Sequence, residues 1–305
     1  MNKSDVMVIG RSCLDNFAVV DRFPRENEKI SLESRFREGG GQGGTASCCI
    51  ARLGGRVTYV GQLGDDPAGR FCLKRLEDYG VETGNVKMVP GGKTPEAYLF
   101  ITQKTGARTI IYEHSKLPKI TLTPDRQRVM KQADVLLLDP ETTYLAGPLK
   151  PLKNENIKIV YDCETRREGL DEMMALADYF IPSMDFLKEN PAETGAPLKQ
   201  SIERLKARVS GTLIVTDGPQ GAYFLDQGIF QVKPPQVEVV DTTGAGDNFH
   251  AAFALAIARG FDLPGAVRFS VAVASLSCRG YGGREGLPTW EEAIDTAEFL
   301  EVRPL

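Results

Sequence analysis

Short, mostly apolar runs alternate with longer amphipathic stretches along this chain of 305 residues, and this alternation limits the folds open to it. The apolar runs are typical of buried strands and lie at 6–9, 57–60, 135–138, 157–160, 179–181 and 213–215. The amphipathic stretches predict helices at 44–53, 67–79, 124–132, 167–177, 198–209, 247–259, 264–279 and 289–299. Repeated strand–helix units predict an α/β fold with a doubly wound, mostly parallel sheet flanked by helices.

Two parts of the chain depart from this pattern. Residues 30–37, 97–102 and 108–112 have the alternation of half-exposed antiparallel strands, and 104–107 would be a hairpin turn. They predict a small sheet inserted twice into the α/β body, at about 12–37 and 95–114, with residues 1–305 forming one domain. The alternative is that they are ordinary edge strands of the main sheet.

Composition narrows the possible functions. A formal charge of −4 and a pI near 5.5, without long runs of one sign, argue against a nucleic-acid binder or a membrane-surface protein. A small polar substrate fits better. The six cysteines show no Cys-x-x-Cys spacing, which favours buried free thiols in a reducing cytosol. Because the apolar stretch Val6–Ile9 is far too short for a signal sequence, we expect a cytoplasmic protein.

The most specific motif is Asp241-Thr-Thr-Gly-Ala-Gly-Asp247, which leads directly into an apolar helix. Gly244 and Gly246 permit positive φ and close approach, so amide groups at the helix start could point at one anion. Asp247 would place a carboxylate beside this cradle, where it could take a proton from an alcohol during phosphoryl transfer. The alternative is that Asp247 only caps the helix and the glycines only form a tight turn.

This motif resembles the signature of the ribokinase-like (phosphofructokinase-B type) carbohydrate kinases, and further landmarks follow in that family's order from Gly10 to Pro288. The resemblance implies ATP-dependent phosphorylation of a hydroxymethyl group on a small sugar or sugar-like substrate. It implies that Asp247 is the catalytic base, that Gly244, Ala245 and Gly246 form the anion hole, and that the small sheet is a lid over the sugar.

The glycine run 39–44 has two readings. It contains Gly-x-Gly-x-x-Gly with Asp65 further on, so a nicotinamide-dependent oxidoreductase is an alternative. However, that fingerprint should follow a buried parallel strand, whereas this run follows a stretch that alternates like an exposed one. The kinase resemblance instead assigns a set of residues to sugar binding: Asp15, Lys29, Gly40, Gly41, Gly43 and Thr45, the last standing where many members carry Asn.

The resemblance also implies a nucleotide-binding side of the site. The turn 216–221 follows a predicted strand, and the segment 274–288 resembles the loop that flanks adenine in the family. The residues implied for nucleotide binding are Thr216, Gly218, Gly221, Ser275 and Gly283, and those implied for a monovalent cation such as K⁺ are Asp241 and Thr243.

Phosphoryl transfer itself implies Mg²⁺. The family often has Asn-x-x-Glu where this chain has Ser183-Met-Asp-Phe186, so the ligands stay open between Asp185 and the ATP phosphates with water. Asp162, Glu164 and Arg166 follow a strand, resemble the family's Asp-x-Asn-x-Arg pattern, and are expected on the phosphate side. His114 and His250 lack metal-ligand spacing, so we expect them to have no catalytic role.

Other functions remain open on the sequence alone. A nucleoside kinase of the same fold and a non-catalytic sugar-binding regulator are alternatives to the sugar kinase. Exposed apolar residues on the lid would favour a homodimer.

Overall fold

The fold is built around a nine-stranded sheet, seen in a computed structural model that describes residues 4–189 and 195–305. Six strands are parallel: β1 (Ser4–Ile9), β4 (Val57–Val60), β9 (Ala133–Leu138), β10 (Lys158–Cys163), β11 (Tyr179–Pro182) and β12 (Thr212–Thr216). Three antiparallel strands extend one edge: β13 (Ala222–Leu225), β14 (Ile229–Val232) and β15 (Val302–Pro304). The spatial order is β15-β14-β13-β12-β11-β10-β9-β1-β4. The six predicted buried strands are the six parallel ones.

Helices cover both faces of this sheet. They are α1 (Gln42–Arg52), α2 (Pro67–Asp78), α3 (Pro124–Met130), α4 (Ala146–Leu149), α5 (Leu170–Leu176), α6 (Met184–Lys188), α7 (Leu198–Lys206), α8 (Ala245–Ala258), α9 (Leu263–Ser277) and α10 (Trp290–Glu298). Short 3₁₀ turns lie at Pro140–Leu145, Lys150–Glu155 and Gly218–Gln220. The predicted doubly wound α/β fold is confirmed.

The two-residue period of a strand explains why there are two cores. Val6 and Val8 of β1 pack into the cluster that contains α8 and α9, whereas Met7 and Ile9 pack into the cluster with α5 and α7. Every second side chain of the central strand therefore enters the opposite layer. This is why the strand sequences are continuously apolar and do not alternate.

Helix starts follow the local sequence closely. Asp66, Thr123 and Asp262 each cap a helix by accepting a backbone N–H three residues on, and a proline follows in the first turn. The helical turns between 140 and 155 are not predicted by the amphipathic pattern. They are short and interrupted by Pro148 and Pro151, so they present no long apolar stripe.

A second, four-stranded sheet has the order β3-β2-β7-β8 and comprises β2 (Cys13–Val20), β3 (Ser34–Gly40), β7 (Glu96–Thr102) and β8 (Ala107–Tyr112). The strand predicted at 30–37 begins at Ser34, and the hairpin between β7 and β8 is confirmed. Strand β2 is central and mostly buried, so it lacks the alternation that marks its neighbours. A two-stranded sheet pairs β5 (Gln62–Gly64) with β6 (Lys87–Val89). The smaller sheet is confirmed, and its movement as a lid stays a prediction.

Several surface properties bear on the earlier expectations. Apolar side chains are exposed on β7 and β8, namely those of Tyr98, Ile110, Ile111 and Tyr112, and the homodimer through this sheet stays a prediction. All six cysteines are free and buried. None of the helices in residues 4–189 and 195–305 has the length and apolar content that crossing a bilayer requires.

We expect Phe253→Ala to destabilise the protein by about 3–5 kcal/mol, the usual cost of emptying a large core site. Phe253 of α8 is 0% exposed and packs against Tyr179 and Phe249. Urea unfolding measures the change. Phe299→Ala is the control, because this ring is 85% exposed, and an equal loss in both variants would contradict the expectation.

Candidate active site

A cavity of about 640 Å³ lies between the carboxyl ends of the parallel strands and the four-stranded sheet. Open α/β sheets place their ligands at this edge. Its walls include residues predicted for substrate, nucleotide and catalysis: Asp15, Gly41, Thr45, Thr216, Thr243, Gly244, Gly246 and Asp247. The structure therefore brings together groups that lie more than 200 positions apart in sequence.

The start of α8 forms the anion cradle. Gly244 has φ 72° and directly precedes the helix, of which Ala245 is the first residue. A Cβ at Gly244 would lie 2.7 Å from Cα of Gly283 and 3.1 Å from Cγ2 of Thr45, so only glycine fits. A Cβ at Gly246 would meet nothing within 4 Å, because this position faces the open cavity. The N–H of Ala245 donates to the carbonyl oxygen of Thr242 at 3.3 Å, whereas the amides of Gly244 and Gly246 are available to an anion.

Asp247 stands half-buried in the first turn of α8 and lines the cavity. Loss of hydration raises the pKa of its carboxyl from 3.8 to about 8, and the like charge of Asp162 adds to the increase. Electrostatic interactions with His250 and Arg108 oppose the increase. A pKa near the working pH suits a group that must accept a proton during a reaction.

Two further buried groups lie behind Asp247. Nε2 of His250, one turn along α8, is 3.2 Å from the carbonyl oxygen of Ile181 and 3.5 Å from Oδ1 of Asp162. Because a carbonyl oxygen only accepts, Nε2 donates to Ile181. Burial raises the pKa of Asp162 and lowers that of His250. His250, expected to have no catalytic role, lines the cavity, and its three-residue spacing from Asp247 is the signal that could have placed it there.

On the acceptor side, Asp15 lies buried in β2 and accepts a hydrogen bond from Sγ of Cys13 at 3.2 Å. Burial raises the pKa of Asp15 to about 6, against the Cys13 bond and the charge of Arg284. A Cβ at Gly40 would lie 2.0 Å from Oδ2 of Asp15, so glycine lets the carboxylate stand beside the chain.

The other acceptor-side residues differ in position. Gly41, with φ 79°, packs against the backbone of Arg11, and Gly43 packs against Gly10. Lys29 is exposed between β2 and β3 and is not among the residues that line the cavity. Its assignment to sugar binding stays a prediction.

On the nucleotide side, only Thr216 of the predicted set lines the cavity. A Cβ at Gly221 would lie 1.9 Å from the carbonyl oxygen of Val232, so strand pairing alone requires this glycine. Gly218 lies in the same turn, with φ 46°. Ser275 donates to Val271 within α9, and Gly283 packs on Gly244. The nucleotide assignments of these residues stay predictions.

Asp241 is fully buried, and its carboxylate is already satisfied by the protein. Oδ1 accepts from the backbone and hydroxyl of Thr243 at 2.9 and 2.8 Å, and Oδ2 accepts from the N–H of Gly282 at 2.7 Å. The carboxylate thus ties the 241–247 motif to the C-terminal segment. The K⁺ site stays a prediction.

Within residues 4–189 and 195–305, no three His, Cys, Asp or Glu side chains are grouped so as to hold a metal ion. Asp162, Glu164 and Asp185 line the cavity separately, whereas Arg166 lies over the ring of Phe186. This arrangement fits a Mg²⁺ held largely by phosphate oxygens and water.

Arg108 of β8 is a further cavity residue that the sequence pattern does not single out. Its Nη1 donates to Oγ1 of Thr242 at 2.6 Å, so the small sheet contacts the 241–247 motif. Only the register of the β7–β8 hairpin determines that Arg108 faces this motif.

We expect Asp247→Asn to stabilise the ligand-free protein, by about 1–3 kcal/mol at pH 8. The folded-state pKa of about 8 lies above the ordinary 3.8, so the protonated carboxyl favours folding fully below about pH 4, and this contribution is lost as the pH rises through 8. Urea unfolding at pH 5 and 8 measures the gain, which should grow with pH. Asp185→Asn, at an exposed carboxylate of the same cavity, is the control. A gain that is equal at both pH values would contradict the expectation.

Comparison with known proteins identifies the family. The model of the pfkB family of carbohydrate kinases matches residues 3–290. Ribokinase of Bacillus subtilis (strain 168) is 30% identical over 295 residues, covering 94% of this chain and 97% of that protein. Ketohexokinase of Mus musculus is 26% identical over 308 residues, covering 94% of this chain and 100% of that protein.

A solved structure extends the comparison to bound ligands. Arabidopsis thaliana ribokinase complexed with ribose and ATP matches with a TM-score of 0.82 at 26% identity, covering 98% of this chain and 100% of that one. The match spans both sheets and the cavity between them. The chain belongs to the pfkB family of carbohydrate kinases, which are sugar kinases.

Proposed function

We propose that this protein transfers the γ-phosphoryl group of ATP to a hydroxymethyl group of a small sugar, with Asp247 as the general base. The observation that carries the proposal is the meeting of three features in one cavity. These are the amides of Gly244 and Gly246 at the start of α8, the carboxylate of Asp247 in its first turn, and the carboxylate of Asp15. They correspond to phosphate binding, proton removal and sugar binding.

The proton and charge movements follow from these positions. Asp247 takes the proton of the sugar hydroxyl while the hydroxyl oxygen attacks the γ-phosphorus. The bond between the γ-phosphorus and the β–γ bridging oxygen breaks, and ADP leaves. The amides of Gly244 and Gly246 stabilise the charge that develops on the phosphoryl oxygens. Arg108, at Thr242, adds positive charge from the small sheet. Mg²⁺, when bound, neutralises phosphate oxygens, and Asp162, Glu164 and Asp185 are the groups that would help to hold it.

Asp15 suits the acceptor side because an ionised carboxylate only accepts hydrogen bonds and can bind two hydroxyl groups. Thr45, buried next to the anion cradle, offers a hydroxyl and limits the space between the sugar and the phosphoryl group. The relatives are named ribokinase, deoxyribokinase and ketohexokinase, and these names refer to different sugars. The class of acceptor proposed here is therefore a small free sugar.

The oxidoreductase alternative lacks its structural context. The glycine run 39–44 joins the end of β3, an antiparallel strand of the small sheet, to the start of α1, and it does not follow a parallel strand of the main sheet. A dinucleotide-binding glycine turn needs the latter position.

We expect Asp247→Asn to lower kcat by roughly a thousandfold, because general-base catalysis is worth about that much. Sugar binding, measured by calorimetry, should change by no more than about twofold, since only the transition state needs the base. Coupled ADP assays measure turnover. Asp295→Asn, at an exposed carboxylate on α10 that does not line the cavity, is the matched control and should keep most activity. Near-normal turnover in Asp247→Asn would refute the assignment of the base.

We expect ADP release with at least one of D-ribose, 2-deoxy-D-ribose and D-fructose, and little with adenosine. The small sugars fit a cavity that must also hold the end of ATP. An ADP-release screen at saturating Mg²⁺ and ATP measures this. Activity with adenosine alone would favour the nucleoside kinase. Sugar binding without ADP release would favour the non-catalytic regulator.

A further inference from the structure

Arg284 is a buried cation that the proposed chemistry leaves unused. The residue is 2% exposed, and among the described residues none accepts a hydrogen bond from Nε, Nη1 or Nη2. Oε1 of Glu38 lies 3.6 Å from Nη1, and the ring of Tyr79 lies 6.0 Å from the guanidinium carbon. Burying a guanidinium costs several kcal/mol unless it is paired. A cation with so little direct pairing calls for an explanation.

The guanidinium lies against the back of the glycine run. A Cβ at Gly39 would be 2.8 Å from Nη1 of Arg284, and a Cβ at Gly44 would be 3.1 Å from Nη2. Neither glycine has positive φ, so backbone conformation does not require them. The absence of their side chains makes room for Arg284 directly behind the loop that faces the acceptor.

Glu38 does not neutralise Arg284 on its own. Its two oxygens accept from Nε and Nη2 of Arg75 at 2.7 and 2.5 Å, a bidentate pair that already uses the carboxylate. The charge of Arg284 also acts on Asp15, where it opposes the rise in pKa that burial causes. The charged or titratable groups that face Asp15 are Arg11, Cys13, Glu38, Cys72 and Arg284.

The backbone that carries Arg284 is held by the anion cradle. The carbonyl oxygen of Gly283 accepts from Nδ2 of Asn248 at 3.0 Å, and Gly283 packs on Gly244. The N–H of Gly282 donates to Asp241. Tyr281 packs on the ring of Phe36 in β3, with centroids 5.8 Å apart. One short segment therefore contacts the phosphate side and the acceptor side together.

We propose that Arg284 is a positioning residue of the acceptor site, which supports the 39–44 run from behind and with it the position of Asp15 beside Gly40. Its positive charge also favours the ionised form of Asp15. Because its backbone is fixed to the anion cradle, it also sets the distance between the two halves of the site. The inference rests on the proposed function, in which Asp15 binds the sugar.

The test compares Arg284→Met, Arg284→Lys and the control Arg75→Met. Arg75 also pairs with Glu38, but it is partly exposed on α2 and does not touch the glycine run. Two quantities are measured in each variant. One is the pKa of Asp15, measured by NMR of the carboxyl carbon, with Asp15→Asn used to assign the signal. The other is the KM for sugar compared with the KM for ATP, with D-ribose or the best sugar of the screen as substrate.

We expect Arg284→Met to raise the pKa of Asp15 above its value of about 6, since a nearby cation is lost. The KM for sugar should rise roughly tenfold, the usual effect of weakening a charged hydrogen bond, while the KM for ATP changes by less than about twofold. Arg284→Lys should keep the pKa of Asp15 close to its original value, because lysine retains the positive charge. Arg75→Met should leave both quantities near the original protein.

Gly39→Ala gives a second route if Arg284→Met fails to fold, because its Cβ would displace Nη1 without removing the charge. Introduced into the original protein, Gly39→Ala should raise the KM for sugar. Introduced into Arg284→Lys, it should raise the KM for sugar less, because the lysine amine is smaller than the guanidinium. An unchanged Asp15 pKa in Arg284→Met, an Asp15 pKa in Arg284→Lys as high as in Arg284→Met, or equal effects of Arg284→Met and Arg75→Met would overturn the proposal. The NMR measurement needs no substrate, so a shifted pKa without sugar turnover would count against the proposed function and not against the role of Arg284.

Discussion

The contact between Gly244 and Gly283 determines the geometry of the whole site. The two backbones meet so closely that no side chain fits at position 244, and this fixes where α8 begins. The amides of 244–246 and the carboxylate of Asp247 take their positions from that start. Thr45 of α1 touches the same point, so the glycine run on the acceptor side is set by the same contact.

Around this contact, the protein retains several ionisable groups that burial disfavours. Burial raises the pKa of Asp15 and Asp139 to about 6 and that of Asp247 to about 8. Such groups lower the free energy of unfolding at neutral pH, because folding then favours the neutral carboxyl. Catalytic sites commonly keep this cost, since a base with a pKa near the working pH transfers protons effectively. The two cores on either side of the sheet supply the compensating stability.

The family resemblance and the periodicity predict most of the architecture. Continuous apolar runs mark the six parallel strands, because strands buried on both faces need no polar side. The pattern does not predict strand β2, because β2 is an interior strand of the small sheet and is mostly buried. The pattern also does not predict the helical turns at 140–155, because prolines interrupt them. Among site residues, the motif 241–247 is recognisable from its letters, whereas Lys29, Gly218 and Ser275 take their assignments from the resemblance and do not line the cavity.

The sequence by itself determined the α/β fold, the helix start at the 241–247 motif and the kinase family, since these depend on local periodicity, turn chemistry and residues adjacent in the chain. Only the tertiary structure decided which distant groups meet: Arg108 with Thr242, His250 with Asp162, and Arg284 with Gly39. These contacts depend on strand register and on how helices pack across the sheet. A shift of one residue in register would turn Arg108 to the other face of its sheet, and the other two contacts depend on helix packing and on the path of the C-terminal segment, so spacing along the chain does not specify them.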